Sequence, residues 1–168
     1  MLTTAILAWL HVFSAMMWLG GSITFGFVIA PGMAKLSQAG SAEFFLKIAP
    51  RVVRFFEITS GMTVLFGALL AYVGISNGDF PGLAWGTSWG VAISVGIALG
   101  LTSFLVGLAM VGPSLKRVVA IIGEMQSGEQ QGSQEKLGKA LKRTRISATA
   151  DVFLLILALV FMIAAGFY

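Results

Sequence analysis

Four stretches of this chain, Ala5–Ala30, Pro50–Val73, Trp89–Val111 and Ile146–Phe167, are predominantly apolar. A bilayer core of about 30 Å takes about 20 residues of helix, so each stretch is predicted to cross a membrane once. With 57% hydrophobic residues, 11% charged residues and a mean hydropathy of +0.92, the chain has too little polar surface to close a soluble globule. The predicted fold is all-α: one domain over residues 1–168, built as a four-helix up-down transmembrane bundle. The N-terminus turns apolar at once, lacks a basic leader region and shows no Ala-x-Ala site, so the first stretch reads as a retained span.

The eleven Lys and Arg residues orient this bundle. Lys35, Lys47, Arg51 and Arg54 fall around the first connection, and Lys116, Arg117, Lys136, Lys139, Lys142, Arg143 and Arg145 around the third. The second connection has none. Short basic loops stay cytoplasmic, which predicts a cell-membrane protein with both termini and the second connection on the non-cytoplasmic side. The net charge of +4 thus reflects headgroup anchoring, and nucleic acid is not an expected partner.

Punctuation residues mark the ends. Pro31-Gly32 is expected to close the first span, Pro50 to open the second, Gly78 to Gly82 with Pro81 to form the outer turn, and Gly112-Pro113 to interrupt the third. Beyond Pro113, Leu115, Val118, Val119, Ile122 and Met125 recur at helical spacing among Lys116, Arg117 and Glu124. After the polar break Ser127–Gln134, Leu137, Ala140 and Leu141 resume an apolar stripe. Helices three and four are therefore expected to extend as a cytoplasmic hairpin, with Phe44, Phe45 and Ile48 of the first connection at the membrane interface. Gly96 with Gly100, and Gly67 with Ala71, are small-xxx-small pairs that let helices approach closely in lipid.

Ionisable groups inside a membrane are costly and mark function or helix pairing. His11, Glu57 and Asp151 are the three clear cases. Depth counting at about 1.5 Å per residue puts His11 about 9 Å toward the outside and the two carboxylates a similar distance toward the cytoplasm. His11, Ser14, Trp18, Ser22 and Phe25 share one helix face, and Ser94 and Met162 come level with His11. An imidazole with a thioether suits Cu(I) or haem iron; the alternative is a histidine that bonds a serine or a carbonyl and joins helices. In the inner layer Arg54 with Glu57, and Arg145 with Asp151, are expected to form a charge network, the alternative being a proton or cation relay. With no cysteine, thiolate metal sites, iron–sulfur clusters and Cys nucleophiles are excluded. The sequence also shows no P-loop, G-x-S-x-G or H-E-x-x-H.

The segment LHVFSAMMWLGGSITFGFVIAP, Leu10 to Pro31, carries His11, Trp18 seven residues on, Gly20-Gly21 and a closing proline. It resembles the first span of the CopD-type copper-resistance membrane proteins, and more distantly that of HemJ-type protoporphyrinogen oxidases. The likeness continues loosely through RVVRFFEITSGMTVLFG, Arg51 to Gly67, and fades afterwards. It implies that His11 stands at the family's ligand position, for copper in the first type and haem in the second. HemJ-type proteins are expected to use a lysine in a later span, whereas Trp89–Val111 has no charged residue, so porphyrinogen oxidation is not carried over.

Three functions follow as expectations. The first is binding or passing copper at His11, with Met162 or Met62 as soft partner and Trp18 and Ser94 lining the site. The second is a b-type haem protein in electron transfer, with His11 axial and Met162 or an open position opposite; bis-histidine ligation would need a homodimer. The third is a non-catalytic accessory subunit of a larger membrane complex. Enzymatic activity is not the leading expectation.

Overall fold

The structure, a computed structural model, describes residues 1–33, 35–80, 83, 85–127 and 133–167. Helix α1 (Leu2–Thr24) runs through a π-helical turn (Phe25–Ile29) into α2 (Ala30–Met33); α3 (Gln38–Lys47) and α4 (Ala49–Ser76) follow. Helix α5 (Ser88–Val106) passes through a second π-helical turn (Gly107–Val111) into α6 (Gly112–Gln126), and α7 (Ser133–Ala165) ends the chain. No strand occurs among the described residues. Four continuous helices, Leu2–Met33, Ala49–Ser76, Ser88–Gln126 and Ser133–Ala165, are long and apolar enough to cross a membrane.

Pro31, expected to close the first span, and Pro113, expected to interrupt the third, both lie within continuous helix. Pro31 and Pro113 each follow a π-turn by two residues, and the helix continues beyond both. Proline lacks an N–H and its ring crowds the carbonyl four residues earlier, here those of Phe27 and Ala109. Both carbonyls lie inside the π-turns. There the helix shifts to bonds five residues long, as in Ala30 N–H to the Phe25 carbonyl and Gly112 N–H to the Gly107 carbonyl. The same local device absorbs both prolines: it carries the first helix past Pro31 to Met33, and lets the third continue past Pro113 to Gln126, as the apolar pattern beyond that proline predicts.

Elsewhere the ends follow local chemistry. Ser37 caps α3 by accepting from Gly40 N–H at 3.1 Å, and Thr87 caps α5 by accepting from Gly90 N–H at 3.0 Å. Pro50 stands in the first turn of α4. Gly78, at φ +71°, turns the chain out of α4 so that Asp79 N–H reaches the Gly74 carbonyl at 2.8 Å. The rest of the expected outer turn, Pro81 and Gly82, and most of the polar break at 128–132, lie outside the described residues.

The four long helices assemble as two antiparallel pairs. Helix α1 packs chiefly on α4 and α5 chiefly on α7, and the pairs meet along narrower seams. Small residues make the close approaches: Gly21 faces the Phe55 and Phe56 rings, and Gly96 lies under Met162 and the Ala158 carbonyl. Hydroxyls within the spans bond back to their own helix, as in Ser14 to the Leu10 carbonyl at 2.8 Å and Ser60 to the Phe56 carbonyl at 2.6 Å.

Buried apolar side chains gather into clusters where α6 and the first turns of α7 extend as the expected hairpin. Val118, Ile121, Ile122 and Ala140 form one cluster, and Ala49, Val53 and Leu115 a second. Phe45 of α3 packs against both, so α3 is seated on the hairpin by one of its own aromatic side chains.

Candidate functional site at His11

His11 lies half-buried on α1 against α4. Its Nδ1 is 2.8 Å from the main-chain carbonyl of Thr63. A carbonyl cannot donate, so Nδ1 carries the proton of this bond and, in the neutral ring, Nε2 keeps the lone pair. This bond to a carbonyl of the neighbouring helix is the helix-joining arrangement expected as the alternative to a ligand role; the same arrangement is common in histidines that bind a metal through the other nitrogen. The ring rests on Gly67: a Cβ there would stand 2.8 Å from Cε1 and 2.9 Å from Nδ1. Gly67, expected only to bring helices together, is thus the seat of the imidazole.

The rest of the expected face turns inward. Ser14 and Trp18 are buried, and Trp18 meets Phe104 of α5 edge-on, with ring centroids 6.5 Å apart. Helices α1 and α5 run in the same direction, so counting back seven residues from this contact puts His11 at the height of Ile97, and hence of Gly96 and Met162. Met162 lies there over Gly96, its methyl 4.0 Å from a Cβ at Gly100. His11 and Met162 therefore share a level, each on the glycines of its own helix pair. Ser94 is half-buried one turn away on α5 and makes no side-chain hydrogen bond among the described residues.

Comparison with known protein families, curated proteins and solved structures returns no match. The site is accordingly read from its own geometry. Among the described residues no group of three or more His, Cys, Asp or Glu side chains could enclose a metal. What the chain offers a soft cation or a haem iron is one oriented imidazole nitrogen, with a thioether at the same depth. A groove of about 460 Å³ at the Asp79 end, lined by Trp85, Thr87, Ser88, Val91 and Phe161 among others, includes none of these residues.

The acidic residues do not form the expected network. Glu57 accepts from Lys116 of α6 at 2.8 Å rather than from Arg54, because the Val53–Leu115 contact brings α6 alongside α4. Asp151 is buried and accepts from the Ser103 hydroxyl of α5. Arg145 precedes it by six residues, roughly 240° around the helix, and is exposed. The expected layer thus divides into an exposed ion pair between α4 and α6 and a buried serine–aspartate contact between α5 and α7. Lys116 and Ser103 were not anticipated as partners: each comes from a different helix, at a register that no spacing along the chain encodes.

Proposed function

We propose that this chain is a multi-pass cell-membrane protein, its termini on the non-cytoplasmic side, that binds copper at His11 and passes it on. The observation that supports this reading is the bond from Nδ1–H to the Thr63 carbonyl, which orients the ring and leaves the Nε2 lone pair for a ligand role. Met162 at the same height adds a soft donor suited to Cu(I). A set of only one nitrogen and one thioether would favour exchange over storage, as transfer requires. The likeness of Leu10–Pro31 to the CopD type points the same way. The orientation rests on the basic residues, which lie on or beside α3, the start of α4, α6 and the first turns of α7.

The test is copper content after reconstitution with Cu(I) under reducing conditions. The wild-type chain is expected to hold copper in proportion to protein, His11→Ala to lose it and Met162→Leu to weaken it. No copper on the wild-type chain would overturn the reading. A Soret band abolished by His11→Ala would assign the same nitrogen to haem b, and neither cofactor together with co-purifying membrane proteins would favour an accessory subunit.

A further inference from the structure

At the end of the bundle that carries the basic residues, a groove of about 270 Å³ opens between the second π-turn and α7. Met110 of the π-turn forms one wall, and Lys139, Lys142, Arg143, Ile146 and Ser147 of α7 the other. Spacings of three, four and seven residues put Lys139, Lys142, Arg143 and Ile146 on one face of that helix. The face changes character along its length, with cations below and an exposed Ile146 above, opposite an exposed Met110. From Ile146 to its end at Ala165 helix α7 rises roughly 30 Å, the thickness of a bilayer core of about 30 Å. The step from cations to apolar side chains therefore coincides with the step from headgroups to hydrocarbon.

We infer that this groove binds an anionic phospholipid, its phosphate on Lys142 and Arg143 and an acyl chain along Met110 and Ile146. Charge decides the class of occupant. Lys139 is shared with Glu135 at 2.5 Å, whereas Lys142 and Arg143 make no ion pair among the described residues. A guanidinium beside an ammonium suits phosphate oxygens, and basic pockets at this depth between spanning helices hold acidic headgroups. The widened turn ahead of Pro113 holds Met110 in this wall, a use consistent with the frequent occurrence of π-turns at binding sites.

The experiment is retention of phosphatidylglycerol against phosphatidylcholine by the full chain in mild detergent, read by native mass spectrometry. The wild-type chain is expected to retain phosphatidylglycerol preferentially, and K142Q/R143Q to reduce that preference by about tenfold or more. R117Q/R145Q removes the same charge outside the groove and is expected to keep the preference. Met110→Trp, which fills the groove without altering charge, is expected to lose it and stands in if the double variant does not fold. Equal retention of both lipids by the wild-type chain, or equal loss in R117Q/R145Q, would overturn the site. Displacement of the lipid by inorganic phosphate at matched concentration would make it a plain anion site and overturn the lipid assignment.

Discussion

Glycine 67 holds nothing itself, yet the position of the His11 ring depends on it. Gly67→Ala would place a methyl 2.8 Å from Cε1, closer than carbon atoms pack, so either the ring or α1 must shift. Overpacking of this kind costs about 1–3 kcal/mol. Gly67→Ala is therefore expected to lower the unfolding midpoint in detergent and, together with it, to weaken the copper binding proposed for His11. Gly61→Ala is the comparison: it lies on the same helix with open space at its Cβ, and is expected to change neither. Loss of binding in both variants would mean that α4 responds as a whole and that Gly67 is not a specific seat. Sequence pattern singled out His11 because a titratable group in a span is rare. It could not single out Gly67, because a glycine beside an imidazole on another helix looks, along the chain, like any other packing glycine.

At the level of elements, the two π-turns show how a local rule is modified without being broken. Proline remains incompatible with regular α-helical bonding, and the helix widens by one residue instead of stopping. Pro113→Ala restores an N–H and removes the ring from the Ala109 carbonyl, so Gly107–Val111 is expected to relax to α-helix. The gain in stability is bounded by the cost of proline in a helix interior, about 3 kcal/mol. A higher unfolding midpoint in detergent, with slowed amide exchange over residues 107–113, is the expected result; an unchanged or lower midpoint would show that the turn is held by packing independently of proline. Four long helices and a hairpin were legible because hydrophobic period and length are properties of each segment alone. The burial of Phe45 against α6 was not, since it depends on which helix lies above α3.

On the scale of the whole molecule, the bundle is two helix pairs, and polar groups tie members of a pair together or join the pairs. Thr4 at the start of α1 donates to Asp79 beyond the end of α4 at 2.6 Å. This hydrogen bond holds the Asp79 carboxyl below its usual range. A depressed folded-state value contributes stability above the unfolded value, about 3.9, that fades as pH falls through the folded value. The difference in unfolding midpoint between wild type and Asp79→Asn is therefore expected to be steady from neutral pH down to about pH 4, and to shrink below it. Glu43, also lowered, by its bond to Lys47, is common to both proteins and cancels in the difference. A difference that grew on acidification would contradict the role of the Thr4 bond.

Four helices long and apolar enough to cross a membrane, the basic end of the bundle and the position of His11 along its helix all follow from hydrophobicity, charge and a fixed rise per residue, which act on each segment independently. Which nitrogen of His11 is engaged, that Met162 rests on Gly96 at the same height, and that Glu57 and Asp151 go to Lys116 and Ser103 were decided by tertiary packing. Hydrogen bonds and glycine contacts act over a few ångströms between helices far apart in sequence. Their partners are set by the register and rotation of one helix against another, and an apolar span of many near-equivalent faces encodes that register only weakly.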